Sequence, residues 1–210
     1  MKKMIHAADS LKAAFIDFVL NNFDDSVVIG HEVMYGSSGR FADIVLLYKG
    51  YTYAVEIKSD SDSLSRINGQ VHEYQRQFNY VIVVCGQKYS RQLCQRLPKS
   101  IGLFQVNDHT VVKELRKPTR KTRLDKEEML FSIKSAYLSK QADFSTSNIS
   151  TDTIRSKFAK KRTSCIQEIL YNYWESRMLP GFRNFLSNRG SQTLPVDLSS
   201  FSIYYVQQVF

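Results

Sequence analysis

Cysteines, acidic residues and long apolar runs are all in short supply in this chain of 210 residues. The three cysteines are widely spaced, at positions 85, 94 and 165, and no two of them form a C-x-x-C pair. This pattern argues against a disulfide framework and against a structural zinc site. No apolar run approaches the roughly 20 residues needed to cross a bilayer, and no apolar stretch typical of a secretory signal follows the basic N-terminus. We therefore expect a soluble, cytoplasmic protein with no membrane partner.

Basic residues outnumber acidic ones. The chain has 29 Lys and Arg against 20 Asp and Glu, a formal net charge of +9, and a pI near 9.4. Such an excess favours an anionic partner, because Lys and Arg that neutralise phosphates release counterions on binding. An anionic membrane surface is the competing partner, but no long amphipathic segment concentrates Lys and Arg on one face. We expect nucleic acid, with DNA ahead of RNA.

The most informative stretch is residues 40–58. Two runs rich in β-branched and aromatic residues flank a Lys-Gly pair at 49–50, which predicts a β-hairpin with a two-residue turn. Counting outward from this turn brings Asp43 opposite Glu56, with Cβ atoms roughly 4.5–5.5 Å apart. Lys58 projects from the same face as Glu56. The hairpin thus predicts that two carboxylates and one ammonium meet.

Two carboxylates on otherwise apolar strands repel each other unless a cation lies between them. A divalent cation would relieve this repulsion, and oxygen ligands suit Mg²⁺ or Mn²⁺. The alternative is a surface charge pair, which is what an isolated Glu-x-Lys on a strand usually represents.

These residues resemble a known superfamily. Asp43, followed across a hairpin by Glu56-Ile57-Lys58, is similar to the D…(D/E)-x-K signature of the PD-(D/E)XK nucleases, which share the restriction-endonuclease-like fold. The proline that usually precedes the aspartate in that family is replaced here by Ala42.

A second motif strengthens the resemblance. Gln70 and Tyr74 lie four residues apart on a predicted helix, and this spacing is similar to the Q-x-x-x-Y helix of the branch containing RecB-type nuclease domains. The resemblance covers roughly residues 10–115 and is closest to small bacterial and phage members of the superfamily.

The resemblance implies an α/β fold with a restriction-endonuclease-like core. That core is a mixed central sheet flanked by helices in the order αβββαβ, here in residues 1–115, followed by a basic linker and a mainly helical accessory region in 116–210. The patterns predict helices over 9–22, 70–78, 89–97, 126–140, 153–161 and 164–178, and strands over 27–35, 40–48, 51–58, 80–85, 101–106 and 110–112. For the final stretch, 191–210, two interpretations remain: an added strand or a docking tail.

The implied activity is divalent-metal-dependent hydrolysis of phosphodiester bonds. For Glu32 two interpretations remain, a further metal ligand or a strand-surface charge. For the basic linker they are a solvated connector or a phosphate-tracking strap. A non-catalytic nucleic-acid-binding module on the same fold is the alternative function, as is an interaction subunit that meets a protein partner or a second copy through the C-terminal region. The expected catalytic residues are Asp43, Glu56, Lys58 and Gln70; the expected metal ligands are Asp43, Glu56, Ile57 and Glu32; the expected nucleic-acid contacts are Arg40, Arg66, Tyr74, Arg120 and Lys121.

Overall fold

A computed structural model describes residues 7–201 of the chain. Its first part contains six strands and three α-helices, and within the described residues only helices follow the last strand. The elements are α1 (Ala7–Asn22), β1 (Val28–Tyr35), β2 (Arg40–Tyr48), β3 (Tyr51–Lys58), α2 (Ile67–Gln77), β4 (Tyr80–Gly86), α3 (Ser90–Arg96), β5 (Gly102–Val106), β6 (Val112–Arg116), α4 (Lys126–Phe131), α5 (Ser135–Lys140), α6 (Thr151–Ala159) and α7 (Thr163–Asn188), with short 3-10 helices at Gln87–Tyr89 and Pro195–Phe201.

The six strands form one mixed sheet in chain order. The β1–β2, β2–β3 and β5–β6 pairs are antiparallel, whereas β3–β4 and β4–β5 are parallel. Parallel neighbours need a crossover, and α2 and α3 supply the two crossovers. The predicted hairpin is confirmed, because Lys49 and Gly50 both have positive φ, 48° and 78°, as a tight hairpin turn requires. The chain is thus an α/β protein with C-terminal helices.

Helices cover both faces of the sheet, and the strand register shows which side chains lie on each face. Phe104 of β5 aligns through Val84 with Ile57 of β3, so these three side chains share one face and Glu56 lies on the other. Helix α1 covers the first face, where Phe15 packs edge-on against Phe104 with ring centroids 5.4 Å apart. Helix α2 covers the second and contacts Glu56.

The C-terminal helices pack against the sheet. Trp174 of α7 stacks on Phe78 at the end of α2, with ring centroids 5.1 Å apart. Gly30 of β1 lies so close to Met178 that an added Cβ would come within 2.8 Å of it, which explains the glycine. The described part of the C-terminal region, 116–201, therefore contributes to the same hydrophobic core as the sheet. A division into two units at residue 115 stays a prediction.

Several element bounds differ from those predicted. The helix expected over 126–140 is interrupted at 132–134: the backbone of Ser132 is still helical, but that of Lys134 is extended, with ψ of 137°. Ser132 is buried beside this break, and its hydroxyl donates to Gln77 Oε1 at 2.6 Å. The expected basic linker begins inside β6, and α7 continues ten residues beyond its predicted end at 178. Of the predicted tail, 195–201 is a 3-10 helix, and 202–210 lies outside the described residues. No helix within 7–201 combines the length and apolar character needed to span a bilayer.

Candidate active site

The candidate site is built around the Glu56 carboxylate, which is 3% exposed. Its Oε1 accepts hydrogen bonds from Lys58 Nζ at 2.7 Å and from Gln70 Nε2 at 2.6 Å. Its Oε2 accepts one from the Tyr74 hydroxyl at 2.6 Å. Gln70 and Tyr74 reach the carboxylate together because they lie one turn apart on α2. Three of the four residues expected to be catalytic are thus in direct contact.

Burial dominates the electrostatics of this cluster. It raises the pKa of Glu56, and the nearby Asp43 carboxylate raises it further, while hydrogen bonds from Lys58 and Tyr74 act in the opposite direction. Burial also raises the pKa of Tyr74 well above its usual value, so the phenol stays protonated and donates. The donors therefore hold a carboxylate in an environment that disfavours its charge.

Asp43 lies where the two hairpin strands separate. The predicted register is confirmed from Tyr48↔Tyr51 to Ile44↔Val55, where the paired region ends. One residue beyond, the Asp43 side chain takes over the pairing, since its Oδ2 accepts the backbone N–H of Ile57 at 2.8 Å. This hydrogen bond fixes Asp43 beside Glu56.

Lys12 and His31 belong to the site, although the sequence reasoning did not select them. Lys12 Nζ lies 3.5 Å from Asp43 Oδ1 and 3.2 Å from His31 Nε2. Burial and the Lys12 charge lower the pKa of His31 to about 3, so the neutral ring accepts a hydrogen bond from the ammonium. A signal was available, since Lys12 lies three and four residues before Phe15 and Ile16, in the buried stripe of α1.

The two carboxylates do not depend on a metal for neutralisation. Lys12 faces Asp43 and Lys58 binds Glu56, so the two ammonium groups already relieve the repulsion between the carboxylates, and the expected divalent cation stays a prediction. The two lysines lie on separate elements, Lys12 on α1 and Lys58 on β3.

The remaining acceptors nevertheless suit a divalent cation. Gln70 Oε1 is buried and has no hydrogen-bond partner in the structure, and Asp43 Oδ2, which accepts the Ile57 N–H, keeps a second acceptor position. With Glu56 these are hard oxygen donors of the kind that Mg²⁺ and Mn²⁺ prefer. Within 7–201, no three His, Cys, Asp or Glu side chains cluster as a metal site, so the amide oxygen of Gln70 is the feature that completes the set.

Glu32 lies in β1, at a point where the backbone of the strand is irregular. Its backbone has φ of 51°, a left-handed conformation that interrupts the regular alternation of β1. On one side of it His31 contacts Lys12 from α1. On the other side the Tyr35 ring packs against Tyr74 of α2 at 5.1 Å. The Glu32 side chain is 46% exposed, with Oε1 3.9 Å from His31 Nε2; its role as a metal ligand stays a prediction.

Of the expected nucleic-acid contacts on the side of the candidate site, two are exposed and one is buried. Arg40 is exposed and donates to Glu73 Oε1 at 2.7 Å, and Arg66 is exposed at the residue preceding α2. Both can reach a ligand. Tyr74 is fully buried, so the structure makes it a donor to Glu56 and not a surface for contacting nucleic acid.

Arg120 and Lys121 lie at the far end of the sheet. Arg120 Nη1 donates to the Tyr51 hydroxyl at 2.8 Å, and the Lys121 N–H donates to the Asn79 carbonyl at 2.7 Å. Tyr51 begins β3, five residues before Glu56, which corresponds to about 16 Å along the strand. Arg120 and Lys121 are therefore not beside the candidate site, and a role of the basic segment in contacting phosphates stays a prediction.

Comparison with known proteins gives one family match. The family described as "Bacteriophage P4 protein cII" matches residues 1–201. The "Protein cII" of Enterobacteria phage P4 is 28% identical over 197 residues, which cover 89% of this chain and 74% of the relative. Among solved structures, the SPO1766 protein of unknown function from Silicibacter pomeroyi is 14% identical, with a TM-score of 0.48 over 90% of this chain and 99% of that one. Neither name states an activity.

Proposed function

The chain belongs to the family of bacteriophage P4 protein cII, and we propose that it is a divalent-metal-dependent nuclease built on a restriction-endonuclease-like core. The observation that carries the proposal is the buried Glu56 carboxylate, held by Lys58, Gln70 and Tyr74 with Asp43 beside it. Buried ionisable groups with strongly shifted pKa values are concentrated at functional sites. A purely structural role would be served at lower cost by apolar residues.

Asp43, Glu56 and the amide oxygen of Gln70 would hold the cation, either Mg²⁺ or Mn²⁺. When bound, such an ion polarises a phosphoryl oxygen and lowers the pKa of a coordinated water. The Ile57 carbonyl remains a further expected ligand. Its N–H is already committed to Asp43, which fixes that peptide group in the site.

The protein residues provide positioning and hydrogen-bond donors. Lys58 donates one of its three N–H groups to Glu56, so two remain for the attacking water or for a phosphate oxygen. Gln70 and Tyr74 fix the orientation of the Glu56 carboxylate, which matters because catalytic groups must be held in the correct position and orientation. The exposed Arg40 and Arg66 would contact flanking phosphates. The basic net charge suits a nucleic-acid substrate, and we propose DNA ahead of RNA.

A non-catalytic nucleic-acid-binding module is the second candidate. One observation favours it: Lys12 and Lys58 already neutralise both carboxylates from within the chain. Such a site is stable without an ion and need not bind one to fold.

Cleavage assays separate the two candidates. The wild type, Asp43→Asn and Lys58→Ala would be incubated with circular and linear, single- and double-stranded DNA and with RNA, in Mg²⁺, Mn²⁺ or EDTA. Lys99→Ala is a matched control, because Lys99 is an exposed lysine. We expect metal-dependent cleavage by the wild type and by Lys99→Ala, lost in the other two variants, with DNA binding by Asp43→Asn retained or strengthened since a repulsive charge is removed. Binding without cleavage of any substrate would favour the binding module.

A further inference from the structure

Lys12 is an ammonium fixed inside the candidate site by α1. Its side chain is 8% exposed, and Nζ lies within 4.0 Å of acceptors on three other residues: His31, Asp43 and Asp9. Within 7–201, the only other buried lysine is Lys58, which already belongs to the proposed catalytic group. A charge buried at this depth is costly and persists only with such partners.

We propose that Lys12 acts as a built-in cation for Asp43, so that the site takes one divalent ion and excludes a second. This inference rests on the proposed nuclease function. Lys12 is a positioning residue in this scheme, because it acts through Asp43 and not on the substrate.

The oxygen atoms available in the site support a single ion. A carboxylate oxygen offers about two acceptor positions, and Glu56 Oε1 has both filled by Lys58 and Gln70. Glu56 Oε2 and Asp43 Oδ2 each have one filled. The spare positions, with the unpaired Gln70 Oε1, provide ligands for one ion that keeps several waters, as Mg²⁺ does.

The position of the ammonium opposes a second ion. In sites with two metal ions, the ions lie about 3.5–4 Å apart and share ligands. The outer oxygen of Asp43, Oδ1, faces Lys12 Nζ at 3.5 Å, and that positive charge repels any further cation there. Lys12 cannot readily swing aside, because His31 Nε2 holds it at 3.2 Å and α1 is packed on the sheet through Phe15.

Charge balance leads to the same conclusion. Lys12 and Lys58 offset Asp43 and Glu56, so these four groups are neutral together. One divalent ion then leaves two positive charges to receive a phosphodiester and its developing negative charge. A second ion would leave four positive charges among these groups and the bound ions, and Asp9, whose Oδ1 lies 4.0 Å from Lys12 Nζ, would offset only one of them.

The test counts bound Mn²⁺ by calorimetry and by electron paramagnetic resonance on the full chain, without substrate. The wild type is expected to bind one Mn²⁺ per chain and to show the spectrum of an isolated ion. Lys12→Met, which keeps the length and loses the charge, is expected to bind two, with a spin-coupled spectrum. Lys12→Arg keeps the charge and is expected to bind one.

Two coupled ions in the wild type would overturn the inference, and so would one ion in a folded Lys12→Met. Folding is checked by circular dichroism; if Lys12→Met does not fold, Lys12→Gln replaces it, and the wild-type spectrum decides on its own. Cleavage with two bound ions would leave the nuclease proposal standing. A wild type that binds no Mn²⁺ and cleaves nothing would remove both.

Discussion

Removing the Tyr74 hydroxyl isolates one hydrogen bond of the candidate site. Tyr74→Phe keeps the ring and its packing against Tyr35 and Phe78, at centroid distances of 5.1 and 5.8 Å. What is lost is the donor to Glu56 Oε2 at 2.6 Å. Glu56 is 3% exposed, so water cannot readily replace that donor.

The expected cost is that of a hydrogen bond to a charged group, about 1.5–3 kcal/mol in the free energy of unfolding. Cavity formation adds little, because only one oxygen atom is removed. For a chain of this length, each kcal/mol lowers the melting temperature by roughly 2–4 °C, so a loss of about 2 kcal/mol corresponds to roughly 4–8 °C.

Urea denaturation and calorimetry in EDTA would measure this loss. The matched control is Tyr53→Phe, since Tyr53 is a half-buried tyrosine held by stacking on the Tyr80 ring at 4.4 Å. We expect the control to change stability by less than about 0.5 kcal/mol. If Tyr74→Phe unfolds at the same urea concentration as Tyr53→Phe, the hydroxyl is not holding Glu56 and the site geometry is wrong.

Three further substitutions test other parts of the structure. Glu32→Gly is expected to stabilise the chain by up to about 1 kcal/mol, because glycine adopts positive φ without strain; a loss of Mn²⁺ binding, measured in the same variant, would instead identify Glu32 as a ligand. Asp17→Ala removes the acceptor of the Thr193 N–H and hydroxyl and is expected to cost about 2–3 kcal/mol, with faster proteolysis of residues 189–201; unchanged proteolysis would contradict the anchoring. Replacing Arg120 and Lys121 together by Ala is expected to leave the cleavage rate at saturating DNA unchanged. Arg120 binds Tyr51, which lies about 16 Å along β3 from Glu56, and Lys121 binds Asn79 at the same end of the sheet; a slower rate would show that the basic segment reaches the reacting phosphate.

The local part of the candidate site could be predicted from the sequence. The Lys-Gly turn fixes the register of the hairpin, and side-chain alternation then determines which residues meet near Glu56. The four-residue spacing of Gln70 and Tyr74 likewise places both on one helical face. These predictions needed only the geometry of one hairpin and one helix turn.

The long-range part could not. Lys12 lies 31 residues before Asp43, and only the packing of α1 across the sheet brings the two together. The helix expected over 126–140 breaks next to another long-range contact, between the buried Ser132 and Gln77 of α2. No local pattern encodes either contact.

The internal pairing of charges separates folding from metal binding at this site. Because Lys12 and Lys58 offset the two carboxylates, the chain does not need an ion to keep Asp43 and Glu56 together. The nuclease and the non-catalytic binding module therefore share one folded state, and they differ in whether an ion enters beside Gln70 Oε1. Lys58 already binds Glu56 in either case. Lys12 is consequently the residue whose charge determines how much positive charge the site can still accept.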